Sequence, residues 1–173
     1  DKKNGGGCVM DYAAHVLNLI NYITGSRLID AKGTFMPDIF SKEVDDAVYS
    51  TLYLENGLKG QLSVNWSDDT HRKMTTSLKI EGDRGKLEAD ATTLKIYLKE
   101  DNVEENLKKG WNIKYITDLT EQVFFNLRGE EYSSEVDHFI QCIKIGGLNQ
   151  RSSFESALHT DYIINKLIED ANN

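Results

Sequence analysis

The sequence predicts an α+β fold, a mainly antiparallel (mixed) open sheet with helices packed on one of its faces. Three observations predict it. Apolar residues recur at helical spacing at both ends of the chain. Two-residue alternation fills the middle. The alternating runs are joined by short turn signals, so the strands pair through local turns.

The first element lies in "GGGCVMDYAAHVLNLINYITG", residues 5 to 25. Three glycines precede a helix over 9–24, with Asp11 in its first turn, where a carboxylate suits the positive end of the helix dipole, and Gly25 as a left-handed stop. The helix is apolar almost all round and reads as buried. Yet Asp11, His15 and Asn18 fall at i, i+4 and i+7, so an acid, an imidazole and an amide form one stripe. Two strands follow over 47–54 and 58–66, joined by Asn56-Gly57, a strong hairpin signal. A second hairpin alternates around Gly82-Asp83-Arg84-Gly85, with further strands at 93–98 and near 111–116. Residues 100–110 are polar and read as an exposed loop. Tyr132, Val136, Phe139 or Ile140, and Ile143 then form a helical stripe ending at Gly146-Gly147. In the last helix Ser152 and Glu155 fit a capping box, and Ala157, Ile164, Leu167, Ile168 and Ala171 line the buried face.

With 173 residues, of which 39% are hydrophobic, the chain can bury one sizeable core, and a single globular domain is the expectation. A net charge of −8 with scattered Lys and Arg argues against nucleic-acid or acidic-membrane partners. The two cysteines, Cys8 and Cys142, do not make a disulfide framework, and with no apolar run long enough to span a bilayer the chain reads as cytoplasmic.

The stripe is the strongest candidate for chemistry. Glycines let backbone approach closely just before the helix, and a neighbouring carboxylate can hold a histidine's tautomer and tune its basicity. The competing reading is a helix-start carboxylate beside a core histidine that satisfies its own hydrogen bonds. Other candidates are weaker. His71 and His159 read as surface residues, His138 as a helix-face residue, Asp45-Asp46 as edge or turn chemistry at a strand start, and both cysteines as buried thiols with no activating neighbour in sequence. "GDRG" is a hairpin turn and not a phosphate loop, and no metal-ligand spacing occurs.

These blocks, "GGGCVMDYAAHVLNLINYITG", "VDDAVYSTLYLENGLKGQLSVNW", "LKIEGDRGKLEAD", "YSSEVDHFIQCIKIGG" and "SALHTDYIINKLIEDA", taken in order, resemble the C-terminal domain of the Gfo/Idh/MocA oxidoreductases. The resemblance implies a substrate-binding and dimerisation domain over 1–173, the C-terminal fragment of a longer two-domain enzyme. It implies NAD or NADP as cofactor, bound mainly by a Rossmann domain outside this sequence, which contains no G-x-G-x-x-G fingerprint. His15 would take a proton from a hydroxyl of a sugar, cyclitol or nucleotide sugar, with Asp11 orienting or relaying, and Asn18 and Tyr12 would contact substrate. Asn18 stands where many members carry another Asp, and Ala13-Ala14 replaces a more usual glycine-containing pair. The open sheet face would form a homo-oligomer contact, and the fragment alone would be inactive. The alternative is a non-catalytic ligand-binding or regulatory module on the same scaffold.

Overall fold

The computed structural model describes residues 6–70, 74–120, 125, 130–146 and 153–173, with 130 and 131 by backbone alone. Contacts cluster into two compact units, Asp1–Thr70 with Asn149–Asn173, and His71–Leu148.

The first unit begins with a wide π-type turn, Val9–Ala13, that runs into α1 (Ala14–Thr24) and stops at Gly25, whose φ of 60° is the left-handed conformation that glycine adopts without strain. Three strands follow, β1 (Leu28–Phe35), β2 (Ala47–Leu54) and β3 (Lys59–Asn65), antiparallel in the order β1-β2-β3. β2 and β3 are in unbroken register from Ala47↔Asn65 to Tyr53↔Lys59 around the Asn56-Gly57 turn. β1 is an element the sequence reading lacks. Its pairing with β2 shifts between Leu28 and Asp30 and again between Lys32 and Phe35, and those irregularities erase the alternation that would have marked it.

One face of this sheet is covered by helix. The helix α4 (Phe154–Ala171) packs on β1, α1 packs on α4, and the π-turn meets β2 and β3. Val48, Leu52 and Leu54 of β2 point into that layer with Leu17 of α1 and Ile163 and Leu167 of α4. Full burial of one such side chain is worth about 1.5–3 kcal/mol. Tyr49, Thr51 and Tyr53 alternate to the other, open face, where Phe35 stacks on Tyr49 at 6.4 Å and Lys59 Nζ lies 5.3 Å from the Tyr53 ring centroid.

α4 is capped by Ser153, whose hydroxyl accepts the Ser156 N–H at 3.1 Å. The cap is therefore one residue later than the sequence suggested, and Ser152 lies outside the described residues. The buried face is also displaced: Ala157 is exposed, and Thr160 and Ile163 join Ile164 and Leu167 inside. α1 is likewise not buried all round. Leu19, Tyr22 and Ile23 are exposed, as is Met10 in the π-type turn before it, because the helix has a sheet-and-helix layer on one side only.

The second unit is a four-stranded antiparallel meander of β4 (Ser77–Glu81), β5 (Gly85–Asp90), β6 (Thr93–Leu98) and β7 (Gly110–Tyr115). Gly82 and Gly85 close the β4–β5 turn by N–H···O=C bonds of 2.9 and 3.4 Å. A short α2 (Ile116–Leu119) and a longer α3 (Glu130–Ile145) follow. In α3 the expected apolar stripe is exposed at Tyr132, Val136, Phe139, Ile140 and Ile143, and the buried positions are Ser133 and Cys142. The antiparallel α+β expectation is thus realised as two sheets rather than one.

Candidate active site

The site helix starts against the chain that enters β2. Cys8 N–H donates to the Asp45 carbonyl at 2.9 Å, and Val9 N–H donates to the Asp45 carboxylate at 2.7 Å, so an acid 36 residues away satisfies the orphan donors of the helix start. Asp45 sits where a Gly7 side chain would be: a Cβ there would lie 2.2 Å from Asp45 Oδ1 and 2.6 Å from its carbonyl oxygen. The glycines before the helix do admit a close approach, and in this chain Gly7 admits Asp45. Gly5 lies outside the described residues.

Asp46, the next residue, is 1% exposed. Its carboxylate accepts Phe40 N–H at 2.5 Å, Ser41 N–H at 2.9 Å, the Ser41 hydroxyl at 2.7 Å and Trp66 Nε1–H at 3.1 Å. The Ser41 amide, then the Phe40 amide and the Ser41 and Trp66 side-chain donors, hold it well below the usual carboxylate range despite burial. The Asp45-Asp46 pair therefore does turn chemistry, as its position suggested, with Asp46 buried and closing the local turn at Phe40 and Ser41, and each acid also holding a distant donor, Val9 for Asp45 and Trp66 for Asp46. Trp66 in turn meets Tyr12 edge-on at 6.1 Å.

On this support Asp11, in the π-turn, and His15, in the first turn of α1, are both exposed. No hydrogen bond or ion pair among the described residues joins them or occupies either side chain. His15 is thus not a core histidine with its hydrogen bonds satisfied internally. Asn18 is turned inward. Its amide donates to the Ser156 hydroxyl and, at 3.3 Å, to the Thr160 hydroxyl, tying α1 to α4 and leaving its carbonyl oxygen free of those bonds. Tyr12 is half-buried against the core through Trp66. The predicted stripe thus divides into an exposed pair, Asp11 and His15, and an Asn18 engaged in packing, as is Tyr12 beside it.

Cys8 is fully buried, and burial first, then the Asp45 carboxylate, pushes its thiol up to about 12. Two smaller readings need correction. Cys142 does have a neighbour, His138 Nε2 at 3.5 Å, one helical turn away. His159 is half-buried, stacked at 6.0 Å on Tyr162, with its Nε2 shielded and without a hydrogen bond among the described residues. His71 lies outside the described residues. Among the described residues, no three His, Cys, Asp or Glu side chains are grouped to hold a metal ion, and no helix is long and apolar enough to cross a membrane.

A three-stranded antiparallel sheet covered on one face by helices, together with a four-stranded antiparallel meander in the second unit, is an α+β domain. The chain belongs to the family described as the GFO/IDH/MocA C-terminal domain, whose model matches residues 1–88. No curated protein sequence matches significantly. Solved structures share the fold. An oxidoreductase domain protein from Kribbella flavida superposes with a TM-score of 0.76 at 22% identity, over 97% of this chain and 48% of that one. Levoglucosan dehydrogenase in complex with NADH gives 0.70 at 18% identity, over 97% and 48%. The WlbA dehydrogenase from Bordetella pertussis, in complex with NADH and UDP-GlcNAcA, gives 0.65 at 16% identity, over 97% and 44%. The chain therefore spans about half the length of the proteins it matches.

Proposed function

We propose that the chain is the substrate-binding half of an NAD(P)-dependent oxidoreductase acting on a hydroxyl or carbonyl of a sugar, cyclitol or nucleotide sugar. The observation that carries the reading is the exposed Asp11/His15 pair, one turn apart on a helix seated by Asp45, in a chain of this family. The two dehydrogenases of the same fold described above, both in complex with NADH, support it.

A nicotinamide site does not fit this chain's own residues. Both Gly-x-x-Gly runs of the strand region serve strand pairing: Gly57 to Gly60 spans the β2–β3 hairpin, where Leu54 N–H donates to the Leu58 carbonyl at 2.9 Å, and Gly82 to Gly85 is a closed turn in which a Cβ on Gly85 would meet the Tyr97 carbonyl oxygen at 2.0 Å. The dinucleotide belongs to a Rossmann domain outside this chain, and when bound it supplies hydride acceptance. This chain's part is the proton. A neutral His15 imidazole accepts it from the substrate hydroxyl oxygen, and the Asp11 carboxylate stabilises the resulting imidazolium. Tyr12 and Asn18, both half-buried beside the pair, would be the substrate contacts in this reading.

The test is His15→Ala in the full-length protein. Removal of a general base costs ~10²–10⁴-fold in kcat/KM, while the melting temperature should hold because the side chain is exposed and makes no hydrogen bond among the described residues. Asp11→Asn should cost less. A His15→Ala enzyme with wild-type turnover would retire the assignment. The open face bearing Phe35, Tyr49 and Tyr53 is the proposed contact with a second copy, and Tyr49→Lys should shift sedimentation toward monomer. An unchanged sedimentation profile would exclude that face.

A further inference from the structure

We propose that Asp45 is a positioning residue of the Asp11/His15 site: it seats the π-turn that carries Asp11 and so sets where Asp11 stands against His15. The inference rests on the proton-transfer reading above.

The geometry separates this role from ordinary helix capping. Asp11 lies inside the π-turn and His15 lies in α1, so the change from wide to ordinary helical pitch falls between them, at Ala13–Ala14. If the first turn relaxed to ordinary pitch, Asp11 would rotate about the helix axis while His15 stayed with α1. What holds the turn is Asp45, through its carbonyl on Cys8 N–H and its carboxylate on Val9 N–H, with Asp11 N–H returning to the Gly7 carbonyl at 3.2 Å.

Asp45 is itself held from the other side. Asp46 N–H donates to the Pro37 carbonyl at 2.8 Å, and the Asp46 carbonyl accepts Trp66 N–H at 3.1 Å. The buried Asp46 carboxylate binds Phe40, Ser41 and the Trp66 indole. Trp66 then packs against Tyr12, the neighbour of Asp11. The segment from Pro37 to Asp46 is thus a strap closed on the sheet, and its Asp45 end bears on the turn that carries Asp11. Both Asp45 and Gly7 are needed for that seat, since any side chain at Gly7 would occupy the carboxylate's place.

The experiment has two arms. In the chain itself, Asp45→Ala should raise amide hydrogen exchange at Val9 and Asp11 roughly five- to tenfold, as expected for a lost helix-start acceptor, and Asp45→Asn, which keeps an accepting oxygen, should restore it. In the full-length protein, D-glucose, myo-inositol and UDP-N-acetylglucosamine are supplied with NAD or NADP, and the substrate the wild type oxidises fastest is used. Asp45→Ala should lower kcat roughly 10–100-fold with KM nearly unchanged, and Asp45→Asn should recover most of it. The same Asp45→Ala change made on His15→Ala should cost nothing further, because the positioned pair is already broken. Unchanged exchange at Val9 and Asp11 overturns the inference. So does an equal kcat loss on the His15→Ala background, which would mark a general loss of fold. Loss of kcat in His15→Ala but not in Asp45→Ala overturns the positioning role alone, whereas wild-type kcat in His15→Ala overturns the proton-transfer reading and this inference with it.

Discussion

Replacing Gly7 by alanine probes how tightly the helix start is seated. The φ of Gly7 is not in the left-handed region, so the added methyl strains no backbone torsion, and its whole effect is steric. The new Cβ would lie 2.2 Å from Asp45 Oδ1, 2.5 Å from Cγ and 2.6 Å from the carbonyl oxygen, on the order of 1 Å inside ordinary contact. Rotating the Asp45 side chain relieves the first two contacts and not the third. Either the Asp45 backbone or the helix start must therefore shift, and both bonds to Cys8 and Val9 stretch. Overpacking costs about 1–3 kcal/mol and loss of the capping acceptor about 1. Together these predict roughly 2–4 kcal/mol, and at roughly 2–4 °C per kcal/mol for a chain of this size a fall in melting temperature of roughly 5–15 °C. Thermal unfolding followed by circular dichroism measures it. The double variant Gly7→Ala/Asp45→Ala should lose less than the sum of the singles, since the carboxylate contact is then absent, yet stay below wild type because the carbonyl contact persists. A Gly7→Ala protein that melts with the wild type would show that the helix start is not seated on Asp45.

Two further outcomes follow from the same packing. Asp46, Asp90 and Asp170 are all held below the ordinary carboxylate range, chiefly by Ser41 N–H, by the Thr92 hydroxyl and by Thr34 N–H respectively, so their contribution to stability is present above the unfolded value of about 3.9 and is lost as pH falls below it toward their lower folded values. Melting temperature should hold from neutral pH down to about 5 and drop below about 4. Asp46→Asn should be less stable at pH 7 and lose part of that acid dependence, and a variant with the wild-type acid slope would contradict the assignment. Cys8, buried with its thiol pushed up to about 12, should be inert to a chromogenic disulfide reagent at pH 8 in a Cys142→Ser background until denaturant is added, and prompt labelling of the folded protein would show that the helix start opens.

Much of the architecture was written locally. Alternation over 47–54 and 93–98, the Asn56-Gly57 turn, the Gly82–Gly85 turn and the Gly25 stop depend on a few adjacent residues, whose side-chain period and backbone freedom decide strand, turn or helix end without help from the rest of the chain. The Asp11/His15 spacing was legible for the same reason, since any helix through 9–24 places them one turn apart.

Tertiary structure decided what depends on distant partners. β1 has bulges and no clean period, and it is a strand because β2 pairs with it and Asp170 of α4 accepts Thr34 N–H at 2.7 Å. Asn18 looked equivalent to His15 in the stripe, yet its partners Ser156 and Thr160 lie some 140 positions along the chain, so only folding could turn it inward. Asp45 and Asp46 read as local turn acids, and Asp46 does bind Phe40 and Ser41 locally, yet they also hold Val9 and Trp66, 36 and 20 residues away. A carboxylate's sequence neighbours state that it can accept hydrogen bonds. Which donors it meets is a property of the closed chain, and here that closure set the acid against the helix that carries the candidate site.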